Sequence, residues 1–193
     1  MRKSNLVFFA TGVAALVYET VWARLFARLL GSDAAGAAIV LAMFMFGLGA
    51  GAWACGRIAH RARRPVALFA ALEAGLGVWA ALSPAVFALV APVDGTWSRA
   101  LVAAAFLLPP TCAMGATFPL MGRIAITAHS DTTRATSAFY AANTLGAACG
   151  ALLAAAVLMP ALGLSGALRA AAALDFVAAA LALAWLRSSA APP

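Results

Sequence analysis

Six acidic side chains occur in 193 residues, and three of them, Glu19, Glu73 and Asp175, fall inside long apolar runs. An ionisable group in such a run is costly to bury and points by default to function. Glu19 has Tyr18 beside it and Trp22 within one helical turn. A carboxylate supplies charge and aromatic faces attract an ammonium, so this cluster reads as a cation or proton site. At a rise of ~1.5 Å per residue, Glu19 lies ~21 Å and Asp175 ~18 Å from the same end of their helices, a shared level near the middle. Glu73 lies ~12 Å in, whereas Arg24 and Arg169 fall at ~27 to 28 Å, towards the far side. The competing reading pairs Glu19 and Asp175 with Arg24 and Arg169 across helices, so that they merely satisfy one another. Asn143 is a further candidate, for an interhelical hydrogen bond.

The elements that hold these groups follow from composition. Hydrophobic residues make up 65% of the chain and charged ones 10%, with a mean hydropathy of +0.98. A soluble domain carries about 25% charged residues, so the chain reads as an integral membrane protein. Its net charge of +7 comes largely from arginines scattered at the ends of apolar runs, where they mark topology rather than track phosphates; nucleic acid is not an expected partner. Cys55, Cys112 and Cys149 form no C-x-x-C pair and read as packing residues. Neither a metal cluster nor a cofactor loop is visible: Gly47-x-Gly49-x-Gly51 lies inside an apolar helix with no strand before it.

The basic stretch 56–65, with Arg57, Arg61, Arg63 and Arg64 and no acidic neighbour, orients the rest. Lys and Arg beside membrane spans stay cytoplasmic, so this loop is expected inside. Helices are expected over residues 5–30, 35–55, 66–90, 97–125, 135–159 and 164–186, the first retained rather than cleaved as a signal. Pro109-Pro110 and Pro119 should kink or break the fourth, and residues 160–163 should turn the chain before the sixth. The inside set then holds Arg2, Lys3, the basic loop, Arg123, Arg134 and Arg187, with Asp33 and Asp94 outside. The reading is all-α: one six-helix transmembrane domain over residues 1–187, both termini cytoplasmic, and a short disordered tail over 188–193.

Gly47 and Gly51 on the second helix, and Gly146 and Gly150 on the fifth, present small faces that let another backbone approach. These helices are equivalent if the chain is an inverted repeat of three helices plus three. The Gly-Arg-Ile-Ala repeated at Gly56 and Gly122 breaks that equivalence and reads as coincidence.

Six helices with both ends inside resemble half of a major facilitator. The basic loop is similar to that superfamily's Gly-x-x-x-Asp-Arg-x-Gly-Arg-Arg motif at Gly56, Arg61 and Arg64, but departs from it at His60, Arg63 and Pro65. A fuller resemblance rests on Leu16-Val17-Tyr18-Glu19-Thr20-Val21-Trp22-Ala23-Arg24-Leu25, Phe44-Met45-Phe46-Gly47-Leu48-Gly49-Ala50-Gly51, and Arg64-Pro65 with Leu72-Glu73. Met114-Gly115-Ala116-Thr117-Phe118-Pro119-Leu120 and Tyr140-Ala141-Ala142-Asn143-Thr144-Leu145-Gly146-Ala147 continue it in order. The chain resembles the six-helix membrane domain of membrane-fused spermidine synthase-like proteins. Their soluble aminopropyltransferase-like domain has no counterpart before Pro193, so no enzyme activity is expected of this chain alone.

Two functions compete. One is a half-sized transporter acting as a homodimer in the bacterial inner membrane, joined by the glycine faces of the second and fifth helices; the resemblance implies a polyamine-like cation moving against protons through Glu19. The other is a non-transporting subunit of a larger membrane complex, or an anchor for a separate synthase-like enzyme docked on the basic loop.

Overall fold

Lipid offers a backbone no water, so each peptide group must find its partner within its own helix. The computed structural model of the protein describes residues 2–30, 34–128 and 132–186. Along them run α1 (Arg2–Leu30), α2 (Ala34–Ile58), a 3-10 turn (Ala59–Arg61), α3 (Pro65–Val90), α4 (Thr96–Ala128), α5 (Thr132–Leu153), a π turn (Ala154–Leu158) and α6 (Met159–Leu186). No strand occurs among the described residues. Five helical segments are long and apolar enough to cross a membrane, the last being the 54-residue run Thr133–Leu186 that contains both α5 and α6. The chain is thus built as an integral membrane protein.

The prolines do not break the fourth helix, and the turn before the sixth is shorter than expected. Pro109, Pro110 and Pro119 lie inside an unbroken α4. The hydroxyls of Thr111 and Thr117 donate to the carbonyls of Leu107 and Met114 at 2.8 and 2.7 Å, and such bonds help satisfy backbone near a helical proline. The turn expected over residues 160–163 narrows to Gly163, whose φ of 68° and ψ of −179° interrupt α6. That backbone region is essentially open to glycine alone. Just before Pro160, the helix widens into the π turn, and the Met159 N–H donates to the Ala154 carbonyl. A wider turn relieves the clash between a proline ring and the preceding regular turn.

The helices pair as α1 with α5, α2 with α4 and α3 with α6; α6 also packs on α1, and α3 on α4. The glycines explain the two tightest pairs. A Cβ at Gly47 or Gly51 would collide with Thr111 or the Cys112 carbonyl of α4, and one at Gly146 or Gly150 with the carbonyl of Phe9 or Val13 of α1. Gly12 of α1 and Gly115 of α4 answer from the other side, against the carbonyls of Asn143 and Leu48. The seam expected between two copies is therefore corrected: these faces are filled within one chain, because small residues there let its own helices close up.

Several contacts gather the basic ends at one end of the bundle. Lys3 lies 5.6 Å from the ring of Trp185, and Arg123 donates to the Ala59 carbonyl at 2.8 Å. Phe8 packs edge-on against both Phe69 and Phe139 beneath them. In the basic loop the Arg57 guanidinium covers the Trp53 ring at 3.6 Å, while Arg61, Arg63 and Arg64 are exposed. At the other end of α3 and α4, Arg99 pairs with Asp94 at 3.6 Å. Asp33, Asp131, Arg187 and the tail 188–193 lie outside the described residues.

Candidate functional site

Polar residues recur among those lining the inner face of α1, at Thr11, Tyr18 and Glu19 beside Ala15, and of α5, at Tyr140, Asn143 and Thr144 beside Ala147. Helical spacing of three and four places each set on one face. Both faces line a cavity of ≈ 480 Å³ between the α1–α5 and α2–α4 pairs. Phe44, Leu48 and Gly49 of α2 and Met114, Thr117 and Phe118 of α4 form the facing wall, with Glu73 of α3 and Asp175 of α6 behind. The volume falls in the range of small-molecule sites.

The structure brings Tyr18, Glu19, Glu73 and Asp175 to this one cavity. Half of the chain's six acidic residues therefore share a site whose lining, among the described residues, contains no Lys, Arg or His. Asp175 and Glu73 are buried, at 1% and 3% exposure, whereas Glu19 is half-buried. The Tyr18 hydroxyl donates to Asp175 Oδ2 at 2.8 Å, tying α1 to α6. Glu73 and Asp175 are buried against the same cavity, and Asp175 Oδ1 has no hydrogen-bond partner.

Trp22 does not line the cavity. It stacks behind Tyr18, with centroids 5.3 Å apart and planes inclined at 17°, and its Nε1 donates to Ser83 Oγ at 3.2 Å. Its ring fixes the tyrosine rather than meeting a ligand. The cross-helix ion pairs with arginine are also corrected: Arg24 and Arg169 are exposed, and neither pairs with Glu19 or Asp175 among the described residues. Neither side chain lines the cavity.

Thr11, Phe44, Thr117, Phe118 and Tyr140 are site residues that the sequence reading had not assigned to the site. Phe118 and Tyr140 meet edge-on at 5.9 Å and are exposed at the cavity's open side. The available signal was the helical spacing of polar residues within apolar runs, which marks an inward face in α1 and α5.

Chemically, the cavity can hold a positive charge. Carboxylates accept hydrogen bonds from an ammonium, and Tyr18, Phe44 and Phe118 offer aromatic faces to its alkyl chain or its charge. No group of three or more His, Cys, Asp or Glu residues among the described ones is placed to hold a metal ion.

No family model matches the chain, and no solved structure matches it. It is 35% identical to "Polyamine aminopropyltransferase 2" of Streptomyces coelicolor over 93% of its own length, and spans 33% of that relative's. The expectation that no enzyme activity attaches to this chain is overturned by that finding, since the relative it follows over nearly its whole length is named as an enzyme. What the comparison establishes is a helical, apolar chain homologous to part of a polyamine aminopropyltransferase.

Proposed function

We propose that this domain binds polyamine-like organic cations inside the membrane and passes them across it, in the service of an aminopropyl-transfer system. The observation that carries this reading is the cavity itself: Glu19, Glu73 and Asp175 converge on it, and among the described residues its lining holds no basic side chain. The name of the relative supplies the ligand class, because a polyamine is a chain of ammonium groups separated by methylenes. An acidic site with aromatic walls is complementary to that chemistry.

The architecture proposed is half of a facilitator-like transporter, with six crossings and both termini cytoplasmic in the bacterial inner membrane. The 54-residue run Thr133–Leu186 would extend ~80 Å as one helix, far beyond a hydrocarbon core of ~30 Å, and the break at Gly163 supports two crossings. The clustering of Lys3, Arg57, Arg61, Arg64 and Arg123 at one end of the bundle supports the sidedness. Exchanging the first three helices with the last three maps the α2–α4 pair onto α5–α1 and returns α3–α6 to itself, which supports an inverted repeat. A second copy facing the open side of the cavity, near Phe118 and Tyr140, would complete its wall.

A second reading follows from the relative's length. A domain spanning 33% of an aminopropyltransferase can also serve as the membrane anchor or accessory subunit of a synthase-like enzyme docked at the basic loop, holding a polyamine beside it without releasing it across the bilayer.

Counterflow in proteoliposomes separates the two. Radiolabelled spermidine should accumulate in vesicles preloaded with unlabelled spermidine, and Glu19→Gln should reduce the initial rate at least tenfold with the protein still folded. Absence of counterflow by the wild-type protein, with spermidine bound, would replace transport by the anchor reading.

A further inference from the structure

The innermost part of the cavity contains an electrostatic conflict. Asp175 Oδ2 accepts from the Tyr18 hydroxyl at 2.8 Å, but Asp175 Oδ1 is buried without a donor and the neighbouring group is another carboxyl, that of Glu73. Two carboxylates cannot sit side by side away from water with both charged and neither bridged. Only a proton or a cation turns that contact into a bond.

We propose that Glu73 and Asp175 share one proton while the cavity is empty and give it up when an organic ammonium binds, making this pair a proton–cation exchange site. The inference rests on the cation-binding reading above and assigns the proton to Glu73 and Asp175 in place of Glu19. In the empty site Asp175 is the carboxylate, taking one hydrogen bond from Tyr18 and the second from the protonated Glu73. On binding, an ammonium N–H replaces the Glu73 O–H as the donor to Asp175, a second N–H meets the Glu73 carboxylate, and the proton leaves to solvent. Charge balances: one proton leaves as one ammonium charge enters, and nothing is oxidised or reduced.

The surroundings leave the exchange to these groups. Facing the pair, α1 contributes Tyr18 and the half-buried Glu19, and α5 contributes Tyr140; the α2 and α4 walls contribute no titratable side chain. Glu19, half-buried where the pair is fully buried, provides the charge that draws a cation in and meets the second amine of a diamine.

The test is calorimetric titration of the purified full chain in detergent with putrescine, in phosphate and in HEPES, whose ionisation heats differ. The difference between buffers counts protons. Wild-type protein should release about one proton per putrescine bound, and its affinity should rise about tenfold per pH unit where the pair is protonated. Glu73→Gln keeps a donor to Asp175 but has no proton to lose, so it should bind more weakly with release near zero. Asp175→Asn should likewise lose the release. Wild-type binding with identical heats in both buffers and a pH-independent affinity would overturn the exchange and leave the cation site standing. No putrescine or spermidine binding by the wild type would overturn both.

Discussion

At the residue scale, Tyr18 is the most tightly held side chain of the site. Trp22 stacks on one face, Asp175 accepts the hydroxyl's hydrogen bond, and Ser83 anchors the tryptophan in turn. Tyr18→Phe removes the donor but not the ring, leaving Asp175 Oδ2 unsatisfied at a cost of about 1–3 kcal/mol. Thermal unfolding in detergent should show a lowered midpoint, and an unchanged midpoint would mean the hydroxyl contributes nothing. Trp22→Phe should weaken cation binding only indirectly, by loosening Tyr18. The carboxyls themselves were legible in the sequence, because an acidic residue inside an apolar run stands out whatever the fold. Their meeting was only half legible. A helix ruler puts Glu73 and Asp175 at heights ~6 Å apart, yet both line the one cavity. The arginines misled for the same reason, since height along a helix says nothing of which way a side chain faces.

At the element scale, α2 carries a sharp internal contrast. An added Cβ at Gly51 would strike the Cys112 carbonyl of α4, whereas one at Gly49 meets nothing within 4 Å because it opens onto the cavity. Gly51→Ala should destabilise the protein by about 1–3 kcal/mol through overpacking. Gly49→Ala should leave the melting midpoint almost unchanged, and equal effects at the two positions would contradict the α2–α4 packing. Gly163→Ala should cost about 1–3 kcal/mol through backbone strain at a positive φ. The sequence announced these helices to within a few residues of their ends, since apolar length and basic flanks suffice for that. It could not say which helix each glycine face meets. Spacing of four proves that something packs closely, and a neighbour within the chain and a second copy leave the same mark. Nor could it say that α4 would run unbroken through Pro109, Pro110 and Pro119, because that depends on the partners that hold the backbone around them.

At the scale of the whole molecule, the cavity is walled by all six helices yet open past Phe118 and Tyr140, residues 42% and 58% exposed. With the glycine faces spent within the chain, a second copy would meet this side. Mass measurement of the particle extracted gently from its native membrane should return two copies if the half-transporter is the working unit. Stoichiometric recovery with a soluble synthase-like protein would favour the anchor. A monomer of this chain alone would contradict the completed wall.

The central claim is that the carboxyl cavity is a polyamine site, and a structure of the protein determined with spermidine at saturating concentration tests it most directly. The account predicts density for an extended cation between Glu19 and the Glu73–Asp175 pair, beside Tyr18 and Phe44. Spermidine bound elsewhere, or an empty cavity at a concentration where binding is complete, would contradict it.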